Sequence, residues 1–166
     1  MNHLAMESPL GPLTLFAADD RLVSIEWGRV PADGRTPLLV RAKAELEAFF
    51  AGRLRRFDLP LGPSGTVFQK KAWAAIAQVP WGEVRTYGAI ALALASSPLA
   101  VGAACRTNPL PIVVPCHRVV GAGGALTGYS GGEGLATKRR LLALEGALVG
   151  SLFSSNPELL TRRVCS

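Results

Sequence analysis

The sequence predicts an α+β protein: a small N-terminal α/β domain of antiparallel sheet plus helix, then a mainly helical C-terminal domain. Three observations carry that expectation. Strand-like apolar patterning falls in the first 65 residues, most clearly over 4–27. A Pro/Gly-rich stretch, Leu59-Pro60-Leu61-Gly62-Pro63-Ser64-Gly65, then interrupts the chain. Beyond it, apolar residues recur at helical spacing between proline and glycine stops. At 166 residues with 49% hydrophobic content, the chain is long enough for a core, or for a core with a smaller partner. The expected division is 1–62, 63–149 and a C-terminal tail over 150–166.

Taken in order, residues 4–27 read as a β-hairpin or short meander. Leu13-Thr14-Leu15-Phe16 and Leu22-Val23-Ser24-Ile25-Glu26-Trp27 flank an Asp19-Asp20 turn. Leu39, Ala42, Leu46, Phe49 and Phe50 fall at helical spacing over 38–51. Arg53 to Gly65 reads as a further strand that runs into the Pro/Gly linker. A helix is expected over 66–79, opened by the capping-box pattern Thr66-x-x-Gln69. Phe68, Ala72, Ala75, Ile76 and Val79 form its apolar face, and Pro80-Trp81-Gly82 stops it. A short helix follows Thr86 and runs to Ala95. Ser97-Pro98 then caps a second, which runs to Arg106 and ends at Asn108-Pro109. Two short helices joined by a tight turn form a helix-turn-helix candidate; an ordinary packed helix pair is the plainer reading. A last helix spans Leu135 to Glu145, with Gly146 as its C-cap.

Composition removes several function classes. The long uncharged stretch, Thr86 to Cys105, has the length of a membrane span, but Ser96-Ser97-Pro98 breaks its centre and alanine supplies much of its apolarity. No cationic region followed by an apolar block opens the chain, so no secretion signal is expected. Three cysteines without framework spacing (Cys105, Cys116, Cys165) argue for free thiols and a cytoplasmic location. With His3 and His117 as the two histidines and no CxxC or HxxxH pair, no metal site is expected. The net charge of +6 is uneven: residues 1–58 are balanced, whereas residues 59–146 carry eight Lys and Arg against three Glu. A basic C-terminal half fits a polyanionic partner such as nucleic acid.

Pro115-Cys116-His117-Arg118-Val119 is the stretch with the most chemistry. A thiol needs a nearby base, cation or helix terminus to become a nucleophilic thiolate. Here imidazole and guanidinium follow the sulfur directly. Glu145 lies among Leu141, Leu142, Leu148 and Val149 at helical spacing, so it must find a partner elsewhere, and His117 and Arg118 are the candidates. A Glu145–His117–Cys116 relay would orient the imidazole through one ring nitrogen and free the other for the thiol proton. Neighbouring residues of an extended chain point oppositely, so the relay needs a turn or a bridging water. Tyr87 is a possible donor to a leaving group, and Asn108 a brace for the nucleophile loop. Gly128-Tyr129-Ser130-Gly131-Gly132 offers backbone N–H groups to a developing anion. The helix from Pro98 to Arg106 presents Ala100, Gly102 and Ala103 rather than base-reading side chains, which suits close backbone approach with Arg106 on phosphate.

Pro115-Cys-His-Arg-Val-Val, with Asn108-Pro-x-Pro-Ile upstream and Tyr129-Ser-Gly-Gly and Leu142-x-x-Glu-Gly downstream, closely resembles the O6-alkylguanine-DNA alkyltransferase family. The likeness is strong over residues 66–146. Ser8-Pro9-Leu10-Gly11-Pro12-Leu13 resembles the family's N-terminal domain more loosely. The resemblance implies single-turnover DNA repair without a cofactor. An O6-alkylated guanine is flipped from duplex DNA, and Cys116 takes the alkyl group as a thioether. It makes Cys116, His117, Glu145, Tyr87 and Asn108 the catalytic set, with His117 acting through a water. Ser130, Tyr129, Val119, Cys105 and Lys138 would surround the base. Leu99, Ala100, Gly102, Ala103, Arg106 and Thr86 would meet the DNA minor groove, and the protein would act as a monomer.

One position departs from the family pattern. Relatives usually carry an arginine immediately before the Ala-Val-Gly of the second helix, inserted where the flipped base was; here it is Leu99, after a shorter turn. An apolar wedge can also unstack bases. Residues 1–58 contain no cysteine for the zinc site of some relatives. Two alternatives remain: a related sensor that binds alkylated bases without transfer, against which Cys116 argues, and a cysteine hydrolase that would turn over.

Overall fold

The computed structural model describes residues 1–31 and 34–147. The expected tail over 150–166, together with Leu148, Val149 and Cys165, lies outside them. The described chain forms two compact units, residues 1–65 with Pro109–Pro111, and Thr66–Asn108 with residues 112–147.

In the first unit, β1 (Asn2–Met6), β2 (Leu13–Ala18) and β3 (Arg21–Trp27) form an antiparallel sheet in that order. Ala18 pairs with Arg21, and the two intervening aspartates both have positive φ, 51° and 55°. That is the backbone a two-residue hairpin turn demands, and Asp tolerates it better than most residues. Helix α1 (Pro37–Phe50) packs on the sheet. Its N-terminus is closed by Thr36, whose Oγ1 accepts from Leu39 N at 3.2 Å, with Pro37 opening the helix. Leu39, Ala42, Leu46 and Phe49 are buried with Leu4, Leu13, Leu15, Leu22 and Ile25; Phe50 is half-buried. Arg53–Gly65 departs from expectation. It contains no regular strand, only a parallel bridge between Leu22 and Leu61. Pro60 and Pro63 lack the N–H groups that a ladder needs, and Leu22 N instead donates to the Pro60 carbonyl at 2.8 Å.

The second unit is mainly helical. Helix α2 (Val67–Ala77) starts with the expected capping box, Thr66 and Gln69 bonding each other's backbone N–H. Helices α3 (Tyr87–Ala93) and α4 (Pro98–Arg106) are capped by Thr86 and Ser97, and the axis bends by 104° between them. That angle is typical of a helix-turn-helix. Trp73, buried on α2, donates its indole N–H to the Ala104 carbonyl at 2.9 Å and ties α2 to α4. Helix α5 (Leu135–Leu144) follows a glycine-rich stretch, with Glu145 as its C-cap and Gly146 at φ 68°. Two short strands, β4 (Arg85–Thr86) and β5 (Val119–Val120), pair in parallel. Among the described residues no single helix is long and apolar enough to cross a membrane; α3 and α4 reach that length only as a bent pair.

The Trp73–Ala104 bond gives a direct test of how α4 is held. Trp73→Phe should lower the unfolding free energy by about 1–2 kcal/mol, the worth of one hydrogen bond plus lost indole packing. Urea denaturation reads this out, and an unchanged midpoint would show that α4 is held by other contacts.

Candidate active site

The buried run Ile112-Val113-Val114 delivers the chain to Pro115, after which Cys116–Arg118 form one 3₁₀ turn. Cys116 N donates to the Val114 carbonyl at 2.8 Å and Arg118 N to the Pro115 carbonyl at 2.9 Å. With three residues per turn, successive side chains diverge around the axis instead of pointing oppositely. The turn that the relay requires is therefore present. Cys116 lines a cavity, while His117 and Arg118 reach Glu145.

Glu145 finds both of its candidate partners. Its Oε2 lies 2.9 Å from His117 Nε2 and accepts from Arg118 Nη2 at 2.6 Å, while Arg118 Nε donates to Oε1 at 3.0 Å. Arg118 Nη1 also donates to the Val79 carbonyl at 2.6 Å, beyond the end of α2. All three side chains are buried. Burial alone would raise the Glu145 pKa, but His117 and Arg118 outweigh it and hold the carboxyl below its ordinary value. Burial, helped by Arg118 and Lys138, pushes His117 below the usual imidazole range against the pull of Glu145. The imidazole is thus neutral at pH 7. Beside an ionised carboxylate its proton belongs on Nε2, which leaves the Nδ1 lone pair as a base. Nδ1 is buried and has no hydrogen-bond partner among the described residues.

Cys116 is 5% exposed. Asn108 Nδ2 donates to the Val114 carbonyl at 2.9 Å and to Cys116 Sγ at 3.2 Å, so Asn108 braces both loop and sulfur. A hydrogen bond with Cys105, together with burial, raises the Cys116 pKa well above the thiol range, although Asn108 and Lys138 oppose the shift. The resting nucleophile is therefore a neutral thiol that requires a base. Ile112 sits in the left-handed region (φ 74°), where a β-branched residue is strained by about 1–3 kcal/mol. Its burial in the loop holds it there.

The cavity has a volume of about 570 Å³. Of the residues singled out from sequence, Tyr87, Leu99, Gly102, Cys105, Arg106, Tyr129 and Ser130 line it with Cys116. Gly128, the first residue of the glycine-rich segment singled out for its backbone N–H groups, lines it too. Pro98 and Thr127 also line it and were not anticipated; Pro98 reads only as a helix start, and Thr127 carries no chemical signal. Desolvation keeps the Tyr87 and Tyr129 hydroxyls protonated, hence donors. Tyr87 donates to the Thr127 carbonyl at a long 3.4 Å. Val119 and Lys138 do not line the cavity; they stand behind its wall. Lys138 Nζ donates to the carbonyls of Val119 (2.6 Å), Thr127 (3.2 Å) and Gly128 (3.4 Å). Burial brings its pKa down to about 8.

Leu99 and Leu92 stand 79% and 83% exposed on the helix pair, unusual for leucine. Ala100 and Ala103 lie on the same helix as Gly102 without lining the cavity, and Thr86 is engaged in capping Ala89 N. A methyl group added at Gly102 would meet nothing nearer than Arg106 Nη1, at 3.7 Å. Internal packing does not require glycine there.

Comparison with known proteins identifies the relatives of this chain. Residues 67–147 match the family model "6-O-methylguanine DNA methyltransferase, DNA binding domain", and residues 2–63 match its "ribonuclease-like domain". A methylated-DNA--protein-cysteine methyltransferase of Methanosarcina mazei is 52% identical over 156 residues, covering 87% of this chain and 97% of the relative. The constitutive enzyme of that name from Bacillus subtilis is 41% identical over 144 residues, covering 79% and 87%. The crystal structure of Mycobacterium tuberculosis OGT in complex with DNA is similar with a TM-score of 0.79 and 40% identity, covering 87% of this chain and 92% of that one.

The buried triad makes stability sensitive to acid. His117 has a folded pKa below its unfolded value near 6.5, so between the two the unfolded chain binds more protons, and stability falls as pH drops through that window. Glu145, depressed from 4.5, adds stability above that value that is lost as pH falls further. Denaturation measured across pH should show stability declining below about pH 6.5. His117→Gln should remove the upper part of the decline, and an identical profile would place its origin elsewhere.

Proposed function

The chain belongs to the 6-O-methylguanine DNA methyltransferase family, and on that premise we propose that it repairs duplex DNA by moving an alkyl group from O6 of guanine to Cys116. The supporting arrangement is a buried thiol at the wall of a base-sized cavity, beside an imidazole with one nitrogen fixed on a carboxylate and the other free. The thiol proton passes to His117 Nδ1, directly or through one water. Sγ attacks the alkyl carbon in line with its bond to O6, that bond breaks with its electron pair going to the base, and guanine takes up a proton. The imidazolium forms against Glu145, which is already ionised, so no new charge separation is needed to stabilise it. The product thioether has no route to hydrolysis, and each molecule acts once.

The remaining residues take supporting roles in this reading. Tyr87, kept protonated, donates to the departing base, and the Ser130 backbone N–H faces O6. Tyr129 and Cys105 flank the base, while Lys138 holds the Val119, Thr127 and Gly128 carbonyls and so sets the wall. Helix α4 enters the minor groove as a monomer's contact element, with its small face of Ala100, Gly102 and Ala103 against the sugar edge. Arg106 and the Thr86 end of α3 lie toward the backbone. Leu99, at the cavity mouth, is the wedge that occupies the space of the flipped base. A cytoplasmic location is supported by the free thiols Cys105 and Cys116.

Incubation with duplex bearing labelled O6-methylguanine should move label to protein up to one group per molecule, and Cys116→Ser should abolish it. Repeated turnover would replace this reading with a hydrolase, and binding without transfer would replace it with a sensor. Leu99→Arg should tighten binding to alkylated duplex about tenfold, or about 1.4 kcal/mol, by adding a contact to the orphaned base. Unchanged affinity in a titration would mean that Leu99 is not the wedge.

A further inference from the structure

Lys138 is fully buried, and its hydrogen-bond partners are three main-chain carbonyls with no carboxylate among them. Val119 accepts at 2.6 Å, Thr127 at 3.2 Å and Gly128 at 3.4 Å. An ammonium carries three N–H groups and no acceptor, so donors and acceptors match one for one. Residues 127–130, which line the cavity, make no backbone–backbone hydrogen bond among the described residues. Apart from Lys138 they are anchored by two hydroxyls, each at a long 3.4 Å: Tyr87 on the Thr127 carbonyl and Ser130 on the Arg106 carbonyl. We infer that Lys138 is a positioning residue that works only as the ammonium, its three N–H groups pinning this wall for base capture, and that loss of one proton releases the Gly128 end. The effect on repair rests on reading the cavity as the base site; the lock itself does not.

The proton count decides what is released. A neutral amine still donates, but through two N–H groups, and its lone pair faces the third carbonyl oxygen. The longest bond, to Gly128, is the weakest and gives way. A Cβ placed at Gly128 would meet nothing within 4 Å, so no packing opposes movement of that carbonyl. Tyr87 does not compensate, because in the proposed reaction its hydroxyl turns to the departing base and leaves Lys138 alone on Thr127. Burial without a counter-ion brings the ammonium's pKa down to about 8. Around it stand Tyr87 on α3, its ring centre 5.7 Å from Nζ, the thiols Cys105 on α4 and Cys116 on the nucleophile turn, His117 beside the latter, and Tyr129 on the wall itself. Burial keeps both tyrosines protonated, and Cys116 stays a thiol. Cys105 lies below its ordinary value, so its titration has to be separated from that of Lys138.

Single-turnover transfer from duplex bearing O6-methylguanine, followed at several duplex concentrations between pH 7 and pH 9, separates capture from the transfer step. The half-saturating concentration should rise about tenfold over that range, as the ammonium fraction of a group titrating near 8 declines, while the limiting rate does not fall. Lys138→Met, of similar length but without donors, should capture weakly at both ends of the range and lose the rise. Cys105→Ser should keep it. In the full chain without DNA, carbon-13 NMR should show a carbonyl step near pH 8, largest at Gly128 among the three acceptors. A flat half-saturation in the parent protein, a rise that persists in Lys138→Met or vanishes in Cys105→Ser, or an unmoved Gly128 carbonyl would each overturn the inference. A Gly128 step in a protein that transfers no alkyl group at any pH would sustain the lock and remove the transfer reading instead.

Discussion

The second unit is organised around one buried carboxylate. Glu145 closes α5 and accepts hydrogen bonds from both ends of the His117-Arg118 dipeptide, and Arg118 continues to the carbonyl of Val79. A helix end, the nucleophile turn and the segment after α2 thereby meet at a single charge. Removing one partner from such a buried pair costs about 3–5 kcal/mol, because the survivor is left charged and desolvated. The same contacts dictate chemistry. Arg118 keeps the carboxylate ionised, the carboxylate keeps the imidazole proton on Nε2, and the basic lone pair is left on Nδ1. Arg118 is therefore a positioning residue that acts through Glu145.

The loop that carries the sulfur is held from both sides. Asn108 bonds the Val114 carbonyl and Sγ, while the strained Ile112 is fixed by burial. Lys138 performs the same service for the opposite wall by gathering three carbonyls that would otherwise repel one another. It does so while partly deprotonated at neutral to alkaline pH, and a neutral amine still donates. Both set where the substrate's atoms must lie, the placement on which in-line displacement depends.

Much of this was legible because the relevant signals are local. The Asp19-Asp20 turn, the Thr66/Gln69 capping box and the Ser97-Pro98 helix start announce themselves within four residues, and each is found. Glu145 was legible by default: a carboxylate among leucines has to be paired, and the basic residues of the nucleophile motif were the candidates. What escaped was set by tertiary context. Strands β4 and β5 have two residues each, too few for any periodicity to show. Residues 53–65 resemble a strand in composition, yet their prolines permit only a bridge. Thr127 lines the cavity while its carbonyl is held by Lys138, a long-range contact with no sequence signature. Val119 and Lys138 lie one layer deeper than the base-contacting positions the family resemblance implies.

A protein that repairs a lesion in any sequence context should recognise the lesion and little else. Helix α4, the groove contact in the proposed reading, has that character. It offers Ala100, Gly102 and Ala103 where a sequence reader would place Arg, Asn or Gln, and Arg106 is its one cation. Discrimination then falls to the cavity, where a base is tested against Tyr87, Tyr129 and Ser130 only after leaving the stack. Unstacking is least costly for a damaged base, so in the role proposed for Leu99 an apolar wedge would add selectivity without adding sequence preference. The resting thiol completes the logic. Buried, protonated and hydrogen-bonded, Cys116 is a poor nucleophile toward whatever drifts into the cavity. It becomes a good one only when an alkyl carbon is held in line and the proton can move to a base that Glu145 has already oriented.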